Sequence, residues 1–271
     1  MRNSRTLAKW RAGKPVLGTT LHFNDPSVYE MASLLGFDLL WMDLEHHAHS
    51  LETAANLMRA ARVGGADILA RPAKGEFLRA ARLLEAGANG IIYPRCATAE
   101  EAAELVQNLK FPPIGIRGLD GSGADMPYGM IPLTDYLEKA NRETFILVQV
   151  EDPAGLENAE AIAAVDGVDM LFFGPGDYSV QAGFPGDFEN PKYHDAIQRV
   201  ASAAKAAGKW WGTPAFSPEH AQKLLDMGAM LVTRAGDITL LRLALTKLKE
   251  DFKPLGFTFN DDPSRNPGLG L

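Results

Sequence analysis

Hydrophobic residues recur along the chain in short runs of strand length, with polar segments between them. Five of these runs begin with a glycine, and they cover residues 36–43, 65–72, 87–94, 167–175 and 228–236. A glycine just past a helix end supplies a left-handed cap, and an almost continuous apolar run is typical of a parallel strand buried on both faces. Three further runs, at 15–23, 144–151 and 209–216, bring the predicted strands to eight.

Between the strands, apolar residues spaced three and four apart predict amphipathic helices. These patterns cover residues 27–35, 51–63, 77–85, 99–109, 158–165, 191–207 and 218–227. Eight strands that alternate with helices over about 250 residues predict an α/β fold, a single-domain TIM (β/α)8 barrel, with a doubly wound sheet as the alternative. We expect one domain over 1–271, with the barrel in about 15–250 and a C-terminal tail in about 253–271.

One segment interrupts this alternation. Residues 111–135 follow the fourth predicted strand and are rich in glycine and proline. A loop of this length in a compact domain is usually functional or contacts another subunit. We therefore expect one of these two roles for it.

Composition excludes several classes of protein. Hydrophobic residues make up 46% and charged residues 23% of the chain, as in globular proteins, and the net charge of −7 argues against a nucleic-acid surface. No uncharged stretch reaches the roughly 20 residues of a membrane helix, and no apolar run follows the N-terminal charges, so we expect a cytoplasmic protein without a signal peptide. The single cysteine excludes a disulfide framework and a multicysteine zinc site.

Charged residues follow the predicted strands at the positions where a barrel carries its active site. In TIM barrels that site lies at the carboxyl ends of the strands. Burying charged side chains there is costly unless they are paired or bind a metal, so their clustering indicates function. The residues at these positions are Asp43, Glu45, His46, Arg71, Arg95, Glu151, Asp177 and Arg234.

Glu151 and Asp177 end neighbouring predicted strands, which lie about 4.8 Å apart. Two carboxylates so close resist ionising together unless a cation is present. Oxygen donors suit Mg²⁺ or Mn²⁺ better than tetrahedral zinc, with Co²⁺ a further candidate. The alternative is that the two acids form salt bridges with Arg71 and Arg95.

A histidine is a candidate general base, and an arginine is a candidate anion-binding residue. His46 lies three residues after Asp43, and an imidazole held by a carboxylate can serve as a general base. The alternative is an ordinary loop histidine, and His47 is the weaker candidate base. Arg71 stays protonated and therefore cannot be a base, but its planar fork can hold a carboxylate or an oxyanion, or it can be structural.

The segment GPGDYS, residues 174–179, ends the sixth predicted strand. Its glycines let backbone N–H groups approach a ligand closely, and such amides at a helix start can bind an anion. Neither a dinucleotide-binding nor a P-loop glycine pattern occurs. No lysine lies in the fifth or sixth predicted strand, which excludes a Schiff base there.

Six segments in order then resemble one known family. DLEHH, ARP, EAGANGIIYPR, FPPIGIRG, VQVED and GVDMLFFGPGDYS match the HpcH/HpaI-type class II, metal-dependent pyruvate aldolases in order and spacing, over about residues 15–250. The resemblance implies a TIM barrel that commonly assembles as a hexamer of domain-swapped dimers. It also implies an enzyme that cleaves or forms 4-hydroxy-2-oxo acids from an aldehyde and the enolate of pyruvate or hydroxypyruvate.

The resemblance also implies roles for individual residues. Glu151 and Asp177 correspond to the metal ligands, His46 with Asp43 to the base dyad, and Arg71 to the arginine at the keto oxygen. The amides around Gly176 and Asp177 resemble those that bind the pyruvate carboxylate. The substrate contacts expected on this basis are Gln149, Gly174, Pro175, Gly176, Asp177, Ser179 and Pro214.

Three departures from the family concern the acceptor aldehyde rather than pyruvate. Glu85, counted among the catalytic candidates, stands where better-known members carry an aspartate that acts on the base dyad across the subunit interface. Pro214 replaces an apolar leucine of the aldehyde pocket, and residues 120–129 differ from the inter-subunit loop.

Three other functions remain as alternatives. Decarboxylation of oxaloacetate would use the same enolate without an aldehyde. A lyase for acyl-CoA thioesters is more distant, because no clear basic cluster for the CoA phosphates is found. The non-enzyme alternative is a small-molecule-binding barrel whose acids form only salt bridges.

Overall fold

The computed structural model describes residues 2–260, in which eight parallel strands close into a barrel in the order β1 to β8. Each strand lies inside one of the eight runs identified in the sequence. The prediction of a TIM barrel is therefore confirmed, and a doubly wound sheet is excluded. The strands are β1 Val16–Leu21, β2 Leu39–Asp43, β3 Asp67–Arg71, β4 Gly90–Tyr93, β5 Phe145–Val150, β6 Met170–Phe173, β7 Trp210–Pro214 and β8 Leu231–Gly236.

Twelve α-helices surround the barrel within the described part of the chain. They are α1 Arg5–Arg11, α2 Pro26–Leu34, α3 Leu51–Ala61, α4 Phe77–Ala86, α5 Ala99–Leu109, α6 Leu133–Glu143, α7 Pro153–Glu157, α8 Ala159–Ala163, α9 Pro175–Gln181, α10 Pro191–Ala206, α11 Pro218–Asp226 and α12 Asp237–Phe252. Seven match the predicted patterns, whereas α1, α6, α7, α9 and α12 had not been predicted. No helix among residues 2–260 has the length and apolar character needed to cross a bilayer.

The glycines that introduce predicted strands adopt the expected left-handed backbone. Gly87 ends α4 with a φ of 122°, and Gly228 follows α11 with a φ of 90°. Only glycine enters this region without a steric penalty, so it lets the chain leave a helix and turn into the next strand. The predicted role of these glycines as helix caps is confirmed.

Alternation along the strands decides which side chains point into the barrel. In β2, Leu39 and Trp41 belong to the inner core, whereas Leu40 and Met42 pack outward against the helices. Because successive residues face opposite sides, Asp43 lies on the inner face at the carboxyl end of the strand. The same alternation directs Arg71, Gln149 and Glu151 inward at this end, which we call the open end.

The opposite end of the barrel is closed by α1. The Trp10 ring packs against Phe145 and Trp210, with centroid distances of 5.3 and 5.2 Å. The helix is held because Asp67, at the start of β3, accepts a 2.7 Å hydrogen bond from the hydroxyl of Ser4. With that end filled, ligands can reach the barrel interior only from the open end.

The glycine- and proline-rich segment lies between α5 and β5, on the closed side of the barrel. Inside it, the buried Arg117 donates a 2.8 Å hydrogen bond to Asp125, which also accepts one from the hydroxyl of Tyr136. The helix α6 begins at Leu133, within the predicted loop. The segment is therefore an ordered part of the fold, and its role in function or assembly stays a prediction.

The last helix, α12, packs little of its surface against its own barrel. Asp237 is its one buried residue, and five of its apolar residues are between 46% and 56% exposed. A cavity of about 340 Å³ with an apolar lining lies beside the helix, between β1 and α2. The predicted tail begins as a short 3₁₀ helix, Lys253–Leu255, and its residues 261–271 lie outside the described part of the chain.

Candidate active site

A buried ion pair organises the open end. The register of β2 and β3 aligns Asp43 with Arg71, whose Nε and Nη2 donate to the two carboxylate oxygens at 2.9 and 2.8 Å. Burial opposes ionisation of Asp43, but the hydrogen bonds and charge of Arg71 outweigh it and hold the pKa of Asp43 below its usual value. The parallel contacts fix the guanidinium plane, as a lysine in its place would not.

From this pair a chain of polar contacts crosses the barrel to Glu151. Arg71 Nη1 donates to Gln149 Oε1 at 3.4 Å, and Gln149 Nε2 donates to Glu151 Oε2 at 2.8 Å. The other oxygen of Glu151 accepts the backbone N–H of Arg95 at 2.8 Å. Arg95 has a φ of 48°, a conformation that is strained for a residue with a side chain. Both oxygens of Glu151 are thus held in place.

The electrostatic environment of Glu151 favours a bound cation. Burial, reinforced by the negative charge of Asp177, raises the pKa of Glu151 to about 7. The alternative pairing with arginines is not observed among residues 2–260, because Arg71 pairs with Asp43 and Arg95 with Glu45. Glu151 therefore carries a negative charge at neutral pH only at a cost in free energy, which a cation would offset.

Gly174 lets the Glu151 carboxylate lie against the backbone. The register of Val150 with Phe173 sets the following residues, Glu151 and Gly174, side by side. A Cβ atom on Gly174 would lie 2.2 Å from Glu151 Oε2, far inside van der Waals contact. This position therefore requires glycine because of the carboxylate beside it.

The donor set fits a divalent metal. Glu151 and Asp177 offer carboxylate oxygens, the donors that Mg²⁺ and Mn²⁺ prefer. Nearby, Glu45 Oε2 is buried and makes no hydrogen bond within residues 2–260, although Arg71 Nε lies 3.3 Å from it. Burial and the neighbouring Asp177 raise the pKa of Glu151, which indicates an environment in which a cation would stabilise the ionised acid.

Glu45, rather than the predicted Asp43, is the carboxylate that lies beside the His46 ring. Its Oε1 lies 3.3 Å from Arg95 Nη2, and its Oε2 lies 3.3 Å from Arg71 Nε and 3.6 Å from His46 Nε2. The carboxylate that faces the His46 imidazole is therefore Glu45, which corrects the expected pairing with Asp43. Asp43 instead contacts His46 through the backbone, since its Oδ1 accepts the His46 N–H at 3.5 Å, while its side chain pairs with Arg71.

A cavity of about 330 Å³ opens in front of these groups. The side chain of His46 is 58% exposed at its edge. Lys74 is tied to the backbone, since its Nζ donates to the carbonyl oxygen of Arg95 at 2.5 Å. The cavity is lined by Glu45, His46, Lys74, Arg95, Asp152, Asp177 and Gln181.

The GPGDYS segment forms the first turn of α9 at this cavity. Gly176 is exposed with open space around it, and Asp177 is exposed, whereas Pro175 is buried and has no N–H to donate. Ser179 is buried, and its hydroxyl donates to the carbonyl oxygen of Gly176 and accepts the N–H of Gly186. The expected substrate contact of Ser179 is thus replaced by a structural role, because both hydrogen-bond partners lie within the fold.

Two further candidates lie in different places. Pro214 ends β7 opposite Thr233 and is partly exposed at the open end, and its contact with substrate stays a prediction. Glu85 lies in the last turn of α4, which runs back from the open end, and it lines a separate cavity of about 430 Å³. The chain therefore does not bring its own Glu85 to His46, and a role across a subunit interface stays a prediction.

We expect Gly174→Ala to lower the affinity for Mn²⁺ about 10- to 100-fold, because the added methyl group displaces the Glu151 carboxylate. Isothermal titration calorimetry of the metal-free protein measures this, with circular dichroism as the check on folding. Gly118→Ala is the matched control, since no atom lies within 4 Å of the added Cβ. Equal affinities for the two variants would contradict the importance of this contact.

Comparison with known proteins shows which family this chain resembles. Residues 20–244 match the family model of the HpcH/HpaI aldolase/citrate lyase. The chain is 33% identical, over 88% of either protein, to a hydroxypyruvate/pyruvate aldolase of Delftia acidovorans. It is 34% identical to a 5-keto-4-deoxy-D-glucarate aldolase of Klebsiella pneumoniae, over 84% of this chain and 89% of the relative. A solved HpcH/HpaI aldolase from Desulfitobacterium hafniense matches 95% of this chain and 98% of its own length, with a TM-score of 0.85 and 30% identity.

Proposed function

Because this chain belongs to the HpcH/HpaI aldolase/citrate lyase family, we propose that it is a class II pyruvate aldolase. It cleaves and forms 4-hydroxy-2-oxo acids, with pyruvate or hydroxypyruvate as one partner and an aldehyde as the other. The name of the relative from Delftia acidovorans supports this reaction. The observation that carries the proposal is the polar chain from Arg71 through Gln149 to Glu151, beside Asp177 at the open end.

In this proposal, Glu151 and Asp177 hold a divalent cation, Mg²⁺ or Mn²⁺, with Co²⁺ a further candidate. When bound, such an ion polarises a carbonyl oxygen as a Lewis acid. The protein orients Glu151 for this task, since Gln149 and the N–H of Arg95 hold its two oxygens. The raised pKa of Glu151 supports the assignment because a cation would stabilise its ionised form.

Arg71 stabilises the negative charge that develops on the keto oxygen of pyruvate when a methyl proton leaves. Three of its five N–H donors are engaged by Asp43 and Gln149, which leaves two for a substrate oxygen. A donor held in position before the reaction contributes about 3 kcal/mol of transition-state stabilisation. Asp43 is the positioning residue that holds the guanidinium.

His46 removes the methyl proton, and the resulting carbanion attacks the carbonyl carbon of the aldehyde. The imidazole lies exposed at the edge of the cavity, and its Nε2 is 3.6 Å from Glu45 Oε2. In the cleavage direction the 4-hydroxyl group loses its proton, the bond between carbons 3 and 4 breaks, and the base returns a proton to the methyl carbon. The amides of Gly176 and Asp177 bind the pyruvate carboxylate.

Removal of the metal tests the proposal directly. We expect EDTA, or Glu151→Gln, to lower the rate of cleavage of a 4-hydroxy-2-oxo acid at least about 100-fold. Added Mn²⁺ restores the EDTA-treated protein but not the variant, as followed by pyruvate release. Glu160→Gln, at an exposed glutamate of α8, serves as control and keeps the wild-type rate. Full cleavage by the metal-free protein would overturn the assignment.

Exchange of the pyruvate methyl protons tests Arg71 without an aldehyde. In D₂O we expect Arg71→Lys to slow deuterium incorporation, measured by proton NMR, about 10²- to 10³-fold. An ammonium group cannot reproduce the paired contacts with Asp43 that orient the guanidinium. Arg199→Lys, an exposed arginine of α10, is the control. Exchange at the wild-type rate in Arg71→Lys would exclude a role at the keto oxygen.

The exposed apolar face of α12 is proposed to pack against a second copy of this chain. Ile238, Leu241 and Leu245 lie outside the core of their own barrel, and Leu241 lines the apolar cavity beside α2. An exposed apolar surface of this extent marks an interaction site. This assignment agrees with the expected homo-oligomer, while the number of subunits and the cytoplasmic location stay predictions from the sequence.

We expect Leu241→Glu to shift the protein to smaller species, because a carboxylate in the apolar contact would be desolvated. Size-exclusion chromatography with light scattering measures the mass at several concentrations. Gln198→Glu adds the same charge to the exposed face of α10 and should leave the mass unchanged. The contact between copies is excluded if wild type and Leu241→Glu are both monomeric.

A further inference from the structure

A second group of potential metal ligands lies at the open end, on the side of β1 and β2. His22 directly follows β1, Asp43 ends β2, and His47 lies in the loop after it. One potential ligand atom from each residue lies within 4.8 Å of the others, and the two imidazole centroids are 4.3 Å apart. We propose that His22, Asp43 and His47 bind a transition-metal dication of the zinc type, separately from the Glu151 and Asp177 pair.

His22 is oriented as metal-binding histidines usually are. Its Nδ1 lies 2.8 Å from Asp237 Oδ1, and because a carboxylate at this distance accepts, Nδ1 carries the proton. Nε2 then keeps its lone pair for a metal, which is the arrangement in which an outer carboxylate fixes the tautomer of a ligand. Asp237 is itself fixed, since its Oδ2 accepts the N–H groups of His22 and Phe23 at 2.8 and 2.9 Å.

Asp43 retains the capacity for a further contact. Its Oδ1 accepts from Arg71 and from the backbone of Glu45 and His46, whereas within residues 2–260 its Oδ2 accepts only from Arg71 Nη2. A carboxylate oxygen offers about two lone-pair directions, so Oδ2 has one left. The Arg71 contacts also fix the orientation of this carboxylate, which lowers the cost of adding a metal.

The ring nitrogens of two histidines in the loop after β2, His47 and His49, also support a ligand near this site. The His47 ring has no hydrogen-bond partner among residues 2–260. His49 is 3% exposed, and neither of its ring nitrogens has a partner. The two ring centroids lie 6.4 Å apart. His47 is partly exposed, but buried polar groups are nearly always satisfied, so the unpartnered imidazole of His49 beside it indicates a polar ligand in this loop.

The donor types set the chemical class of the ion. Two imidazole nitrogens and one carboxylate suit zinc, copper, nickel or iron, and three protein ligands leave a position open for water. Glu151 and Asp177 offer oxygen alone, which suits harder ions. Arg71 donates to Asp43 of the proposed site and to Gln149, which in turn donates to Glu151 of the oxygen pair. The two sites therefore differ in both ligand set and metal preference.

Zinc uptake by metal-free protein, measured by equilibrium dialysis with elemental analysis, tests the site. The experiment uses Glu151→Gln protein, so that zinc cannot bind to the intact oxygen pair. We expect this protein to bind one zinc ion per chain, with the affinity reduced at least about 100-fold by a further His22→Gln or His47→Gln. Loss of the outer partner in Asp237→Asn should cost about 10- to 100-fold. His194→Gln, at an exposed histidine of α10, is the matched control and keeps the zinc.

A spectroscopic readout identifies the ligands even if one variant folds poorly. Copper(II) added to Glu151→Gln protein should show imidazole nitrogen couplings in electron paramagnetic resonance, and His47→Gln should weaken them. Zinc uptake that is unchanged in both His22→Gln and His47→Gln, or that is absent in Glu151→Gln, would overturn the proposal. Because these readouts measure metal content and ligand type, they stand apart from any failure of the aldolase tests.

Discussion

The buried ion pair between Asp43 and Arg71 is the interaction on which the open end of the barrel depends. It forms because β2 and β3 align the two residues at their carboxyl ends, with both side chains directed inward. A buried charge that loses its partner costs about 3–5 kcal/mol, so neither residue can be removed without disturbing the other. Arg71 also lies near Glu45 and Gln149, and through Gln149 it reaches Glu151.

Negative charge exceeds positive charge around this arginine. Asp43 takes the paired contacts of Arg71, Glu45 shares Arg71 with Arg95, and Glu151 is left with backbone and amide donors. The raised pKa of Glu151 is the consequence, because burial and Asp177 both disfavour its ionised form. The cation proposed to bind between the two acids would restore the balance, and this requirement connects the packing of the barrel with its proposed chemistry.

Local sequence signals were sufficient to predict the eight strands and to predict which end of the barrel carries the candidate site. Apolar runs, glycines past helix ends and strand-end charges are short-range features, and the parallel barrel then brings Asp43, Arg71 and Glu151 together. The helix α12 carries leucines at helical spacing, so its periodicity could have predicted it. The short α1 and α9 lack such a signal, since seven residues give about two turns. His22 and Asp237 directly follow β1 and β8, so the strand-end rule could have included them.

The sequence by itself determined the barrel, its open end and the residues that converge there, because these follow from periodicity and from the position of each residue on its strand. Only the tertiary structure decided which of those residues touch. It set the His46 imidazole beside Glu45, turned the Ser179 hydroxyl into the fold, and left Glu85 away from the open end of its own chain. Such contacts depend on side-chain directions and on neighbours distant in sequence, which no local pattern encodes.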